Sequence, residues 1–454
     1  MLYDFIISDK NAKTPMYRQI YLSIRQAIEN GTLKKGSRLP SVRGLSAEKN
    51  ISKTTVISAY EQLCAEGYIT NKPQSGYYVA AQFENRPIMA DAMYKPEIEN
   101  RFFEYDFSGK SIDEKIVDLA EWKKCLKDVV NRNYLLTSYG DVQGEEALRE
   151  ALQKYALGTR SVNARTDNII VGAGTQAILY LLCSLIGFGK TIAVEKGGFV
   201  QSEFIFRSFD YRVKYYECDE YGVTVNSLRE LNPDLILINP NFSGKRGDTM
   251  PVTRRLELIE WAKKNGALLI EDDYNGELRY STLPTPCVQH YDADNTVYIG
   301  SFSKVLLPSV RVGYMVLTPE LLKRYAEVRK LMNQTASKTE QLALARYISS
   351  RKIDAHLRKA RRVYLEKSKS ILESIEKHLP EASVRFNETS LYLTVSLPFD
   401  VNSEALENAL RENSVRLRTD IRGEGAFALS FSGISEEKID DGIRIISETI
   451  KEII

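Results

Sequence analysis

Residues 300–314, GSFSKVLLPSVRVGY, set a single lysine, Lys304, among small and apolar neighbours, with Arg311 seven positions later. Out of water an ammonium is disfavoured, and the freed amine of such a lysine suits a Schiff base with an aldehyde. The preceding TVYIGS reads as a strand, so Lys304 falls at a strand's C-terminal end, where ligands gather in parallel α/β sheets. Alone it reads as an ordinary surface lysine with its stem over apolar surface. Three other features give it partners. In ALLIEDDYNGE a strand ends in acids; Asp272 suits the carboxylate that keeps a pyridine nitrogen protonated, with Tyr274 placed to hydrogen-bond a phenolic oxygen. In NIIVGAGTQAILYLL a strand, a glycine turn and a helix start align the N–H groups of Gly174, Thr175 and Gln176 as a phosphate cup. Arg311 returns as a cation for the same phosphate, with hydroxyls from Ser301 and Ser303. Jointly these residues describe a site for pyridoxal 5'-phosphate anchored at Lys304.

The elements that must position them follow from the patterning. From about residue 165, apolar β-rich runs (NIIVG, TIAVE, RVKYYE, DLILIN, ALLIED, TVYIGS) alternate with helical stretches such as RRLELIEWAKKNG. That alternation predicts a mainly parallel sheet wrapped by helices. Beyond about residue 320, long charged helices and then SVRFNETSLYLTVSL, VRLRTD and AFALSFSG predict a smaller α+β domain.

The first eighty residues differ in kind. They hold eleven Lys/Arg against six Asp/Glu, while the whole chain carries only +2. TPMYRQIYLSIRQAIENG offers Thr14 as cap, Pro15 as first helical residue and Gly31 as stop; Ser41 caps the next helix. SKTTVISAYEQLCAEG predicts a third, with Val56, Tyr60 and Leu63 turned inward. Ser52, Lys53, Thr54 and Thr55 crowd its first turn, which suits contact with phosphates and base edges. YITNKPQSGYYVA alternates around a Pro/Gly turn as a two-stranded wing would.

Composition sets the remaining limits. At 454 residues, 43% hydrophobic and 27% charged, the chain is long enough for two or three soluble domains. Five cysteines at 64, 125, 183, 218 and 287, with no C-x-x-C pair, fit reduced thiols. Three dispersed histidines (290, 356, 378) argue against a histidine metal site or a Ser-His-Asp arrangement. The N-terminus lacks a signal-peptide pattern and AILYLLCSLIGF is too short for a membrane span, so a cytoplasmic protein is expected.

LPSVR, SKTTV, AYEQL and SGYYV occur in the order of the GntR-type winged helix-turn-helix, which residues 1–80 resemble. Position by position, that resemblance implies contact with double-stranded operator DNA through Arg43, Ser52, Lys53, Thr54, Thr55, Ser75 and Gly76. Lys53 stands where an arginine is usual, and it lacks the bidentate fork for guanine. Residues 81–105 read as a semi-extended linker. Residues 106–454 resemble the fold-type I aminotransferases, with a large domain at about 135–325 and a small one at about 326–454. The whole chain resembles the MocR-type regulators. This implies a pyridoxal phosphate Schiff base at Lys304, a head-to-tail homodimer and a cofactor domain used as a sensor of an amino compound or of the cofactor itself.

Departures from the pattern bear on activity. Gly198-Phe199 replaces a Pro-Gly-Tyr-like segment, and Phe199 is expected to stack on the pyridine face. SGKRGD replaces an Asn-Pro-Thr-Gly-like turn, leaving Asn241 as the residual candidate for the phenolic oxygen. Gly433 is read at the position of the arginine that grips a substrate carboxylate, with Arg416, Arg418 and Arg422 as substitutes. A sensor is therefore favoured over a working aminotransferase with a fused autoregulatory DNA module, though partial transamination stays compatible.

Overall fold

The computed structural model describes residues 6, 14–81, 103–241, 244, 249–279, 285–387, 390–423 and 426–453, the side chains of 403 and 419–423 aside. Most of the expected linker at 81–105 lies outside these residues. The chain divides into two compact units, Met1–Asn100 and Arg101–Ile454.

In the first unit α1 (Met16–Glu29), α2 (Val42–Glu48) and α3 (Lys53–Ala65) precede a hairpin of β1 (Ile69–Lys72) and β2 (Gly76–Val79). Pro15 is the N-cap of α1 and Asn30 its C-cap, so Thr14 lies one residue outside the helix it was expected to cap. Ser41 and Ser52 each accept a backbone N–H of the next turn, from Gly44 and Thr55. Val56, Ala59, Tyr60 and Leu63 recur on one face of α3 and are fully buried against Ile20 and Ile24 of α1.

The second unit is built on a seven-stranded sheet: β3 (Ile169–Gly172), β4 (Thr191–Glu195), β5 (Arg212–Tyr216), β6 (Leu235–Ile238), β7 (Leu268–Asp273), β8 (Thr296–Ser301) and β9 (Gly313–Val316). Its order is β3-β9-β8-β7-β6-β4-β5. All neighbours are parallel except β9, which runs antiparallel between β8 and β3. The six expected strands are present. The seventh, β9, was absent from the pattern because only a four-residue helix and a 3-10 turn separate it from β8, so it falls outside the alternation of strands with long helices. Its N-terminal end meets the C-terminal ends of β8 and β3, since Ser301 pairs with Gly313 and Gly313 with Gly172. Ser301, Arg311 and the turn after Gly172 thereby converge on one edge, which Asp272 and Asp273 reach from β7.

C-terminal to the long helix Lys352–His378, a four-stranded sheet forms from β10 (Ser383–Arg385), β11 (Tyr392–Ser396), β12 (Arg418–Gly423) and β13 (Ala426–Ser430) in the order β10-β11-β13-β12. Leu393, Val395, Phe427 and Leu429 face the main core, while Tyr392 and Ala428 form a separate pair on the opposite face. Ahead of the large sheet, Tyr105–Asp106 pairs with Val415–Arg416. Phe107 O then accepts from Ser430 N, and Asp113 N donates to Ser432 O. The segment entering this unit is thus stitched to the small sheet.

Candidate functional site

Lys304 sits in the short helix Phe302–Val305 directly after β8, and its Nζ donates to Gly109 O of the entering segment. On β7 the acids alternate faces. Glu271 accepts from Val288 N and Gln289 N at 2.9 and 3.0 Å. Asp273 is saturated by Arg160 (2.6 Å), Asn241 (2.7 Å), Tyr298 (3.0 Å) and Gly276 N (3.0 Å). Between them Asp272 points the other way, 6% exposed, with Oδ1 buried and unpartnered among the described residues. Burial, and then the charge of Asp273, push its carboxyl up to about 7.

That orphaned oxygen is the test of fit for the cofactor. A buried carboxylate without a donor is costly, and a protonated pyridine nitrogen is the donor such a site lacks. Tyr274 lies beside it, its phenol raised by burial and hydrogen-bonded to Tyr392.

The phosphate side is equally explicit. Gly174 precedes the helix α4 (Thr175–Ile186) with φ +84°, a conformation that favours glycine. A Cβ at Gly174 would come within 2.9 Å of Arg311 Nη2, so the guanidinium lies over the turn. Arg311 also reaches Ala173 O and Ser303 Oγ, each at 3.5 Å, and Ser301 Oγ accepts from Ser303 N at 3.3 Å. Gly174, Thr175 and Gln176 at the start of α4, with Arg311, Ser301 and Ser303, therefore gather at one edge. The N-terminal dipole of α4 adds its positive end there. These residues fit pyridoxal phosphate.

Three further residues singled out in the sequence have these surroundings. Phe199 caps the helix Val200–Ser208 and packs, half-buried, on the cluster of Ile178, Leu182 and Phe206. Asn241 is drawn into the core: its Nδ2 donates to Asp273 and its Oδ1 accepts from Arg160 at 3.0 Å. Gly433 lies against the entering segment, where a Cβ would meet Ser111 Oγ at 2.0 Å, so no longer side chain fits. Sequence reasoning missed Gly109 and the buried Arg160–Asp273 pair. The glycine-serine turn in DFSGKS was a signal for the first; Arg160 gave none, since it stands at the end of its helix 113 residues from the acid it pairs with.

In the first unit Ser52 Oγ also bonds Thr54 Oγ1 and Thr55 Oγ1 at 2.8 and 2.7 Å, leaving Lys53 exposed on the first turn of α3. Arg43 is exposed on α2. In the hairpin turn Ser75 Oγ bonds Tyr78 OH at 2.7 Å, and Gly76 has φ +109°. Arg38, which sequence reasoning passed over, bridges to Tyr78 and lies beside Gly76.

A winged helical unit joined to an aminotransferase-like fold defines a class of DNA-binding regulator. Residues 16–79 match the bacterial regulatory proteins of the gntR family, and residues 107–446 match aminotransferase class I and II. The chain is 32% identical to the HTH-type transcriptional regulator YdeL of Bacillus subtilis over 95% of its length and 96% of the relative's. It is 27% identical to the probable rhizopine catabolism regulatory protein MocR of Rhizobium meliloti, over 96% and 94%. The chain therefore belongs to the MocR-type transcription regulators, in which a gntR-family domain precedes an aminotransferase class I and II domain. The fold of the second unit is also that of kynurenine aminotransferase from Pyrococcus horikoshii, solved with PMP, at TM-score 0.69 and 24% identity over 78% of this chain and 92% of that one. No helix among the described residues is long and apolar enough to cross a membrane.

Proposed function

We propose that this regulator binds double-stranded operator DNA through Arg43, Ser52, Lys53, Thr54, Thr55, Ser75 and Gly76, and holds pyridoxal 5'-phosphate covalently at Lys304. Asp272 and Tyr274 hold the ring, while Gly174, Thr175, Gln176, Ser301, Ser303 and Arg311 hold the phosphate; Phe199 stacks on the ring from the β4 side. The observation that carries this reading is the orphaned, buried Asp272 Oδ1 at the same sheet edge as Lys304 and Arg311.

When bound, the cofactor supplies an electrophilic carbon for amines. The protein's own residues supply orientation, charge and a route for the signal. Lys304 donates to Gly109, in the segment that arrives from the DNA-binding unit. An Nζ engaged covalently gives up donors, so occupancy of the site and that hold on the segment compete. The effector is an amino compound or the cofactor itself, and a head-to-tail homodimer is the working assembly.

The test is the visible spectrum of the full-length protein with added pyridoxal phosphate, wild type against Lys304→Ala, followed by footprinting of operator DNA with and without the cofactor. A Lys304-dependent absorbance band and a changed footprint are expected. An unchanged footprint overturns cofactor sensing, and sustained turnover of an amino donor and keto acid would favour an enzyme instead.

A further inference from the structure

Of the three histidines, His290 is exposed and His378 half-buried, while His356 is only 5% exposed on the inner face of the long helix Lys352–His378. Its Nε2 lies 2.5 Å from Val305 O, the last carbonyl of the short helix that carries Lys304. A carbonyl only accepts, so the ring proton is on Nε2. The closing carbonyls of a helix have no partner within it, and leaving one unpaired in the interior is costly. Val305 is 1% exposed, and the imidazole supplies the donor that its carbonyl needs.

The surroundings call for a neutral donor. Ile116, Val305, Leu306, Ile353 and Leu357 belong to one buried apolar cluster. Burial, and then the charge of Lys359 on the same helix, hold the ring's pKa below 6.5 against the backbones of Val305 and Ile116. Nδ1 is buried and takes no hydrogen bond among the described residues, as suits an unprotonated nitrogen. Lysine or arginine at this position would bring a charge into the cluster.

The long helix carries the hold further. Arg361 Nε donates at 2.8 Å to Glu277 O, in the stretch that follows Asp272 and Tyr274. From His356 to Lys367 is three helical turns, about 16 Å along the same face. There Lys367 Nζ meets Asp113 of the entering segment at 2.6 Å and donates to Ile434 O. One helix thus grips the carbonyl beside Lys304, the chain beyond Asp272 and the segment whose Gly109 O accepts from Lys304 Nζ.

We propose that His356 is a positioning residue for Lys304: as a neutral Nε2–H donor it fixes the short helix against the long one, and so aims the Lys304 amine relative to Asp272 and the entering segment. This rests on the reading of Lys304 as the cofactor anchor and adds the residue that directs it.

The test compares full-length wild type with His356→Gln, which keeps an amide donor, and His356→Phe, which keeps the ring's bulk without one. In cofactor-free protein labelled with nitrogen-15 histidine, the ring signals absent from His356→Gln identify His356. Near neutral pH they should be those of an uncharged Nε2–H imidazole; an Nδ1–H ring or a charged one overturns the assignment, even if a variant folds poorly. Hydrogen exchange in the peptide covering residues 300–307 should be about tenfold faster in His356→Phe and near wild type in His356→Gln. Equal exchange in all three overturns the proposal. With pyridoxal phosphate, the Lys304-dependent band should show about tenfold weaker affinity in His356→Phe and stay within about threefold of wild type in His356→Gln. Losses of equal size in both variants overturn it. Cofactor binding should also shift the His356 ring signals, because Val305 adjoins the anchored residue; a ring that does not respond is structural only and overturns the role. If no Lys304-dependent band forms in wild type, the cofactor reading fails separately, and the ring signals and exchange of cofactor-free protein decide whether His356 holds the Lys304 helix.

Discussion

At the scale of residues, Glu271, Asp272 and Asp273 show how a run of three acids divides its roles. Strand alternation sends Glu271 and Asp273 to one face, where backbone amides and Arg160 satisfy them, and leaves Asp272 Oδ1 on the other without a donor among the described residues. The sequence pointed to Asp272 among the acids at the end of β7 by the chemistry a pyridine nitrogen needs, and the orphaned oxygen supplies a physical basis for that choice. In cofactor-free protein its folded pKa of about 7 lies above the ordinary 3.8. A raised carboxyl pKa favours folding fully below pH 4, and that contribution is lost as pH rises through 7. Asp272→Asn should therefore stabilise the cofactor-free protein by about 4 kcal/mol more at pH 8 than at pH 4. Urea midpoints followed by the fluorescence of Trp122 and Trp261, both in the second unit, measure it. An equal effect at both pH values would contradict the assignment. With pyridoxal phosphate present, the same variant should bind the cofactor more weakly.

Elements place these residues, and their ends matter most. The turn at Gly174 was legible as a glycine between a strand and a helix, but its contact with Arg311 depends on β9 returning antiparallel beside β3. Gly174→Ala meets both a positive φ and the guanidinium. It should cost about 1 kcal/mol or more from the backbone alone, and should weaken pyridoxal phosphate binding about tenfold by equilibrium dialysis. In α3 two neighbours separate structure from contact. Ser52→Ala removes a cap and should lower the stability of the first unit by about 1 kcal/mol. Lys53→Ala, on an exposed side chain, should leave stability within about 0.5 kcal/mol. It should also reduce the slope of log affinity for operator DNA against log salt by about 0.9. Equal salt slopes for wild type and Lys53→Ala would remove Lys53 from the phosphate contacts. The one-residue offset at the start of α1 has a plain cause: Thr14 carries the hydroxyl that a capping pattern seeks, yet Pro15 takes the non-helical cap position with no side-chain bond.

For the whole molecule, the decisive fact is that each unit buries its own core. Leu63 and Tyr60 pack with α1 and the hairpin, and the second unit's clusters contain none of them. Leu63→Ala should destabilise the first unit by about 2–5 kcal/mol and abolish DNA binding at 37 °C. Tryptophan-detected unfolding and cofactor absorbance should stay as in wild type; a shared shift in both would show that the two units fold together. In the second unit the buried pair Lys367–Asp113, at 2.6 Å, ties the long helix to the entering segment. Lys367→Met leaves Asp113 buried and unpaired and should cost about 3–5 kcal/mol, read from the same tryptophan signal.

What the sequence determined by itself was local and periodic: the capped helices of the first unit, the βα alternation of the second, and the residue types of Lys304, Asp272, Gly174 and Arg311. Those features are written in short windows, where spacing and turn chemistry suffice. Tertiary structure alone decided which of the three acids keeps an oxygen without a donor among the described residues, where Asn241 goes, and that Ser111 fills the space beside Gly433. Each of these depends on register between strands far apart in sequence, and a window of neighbours carries no information about which strand lies opposite.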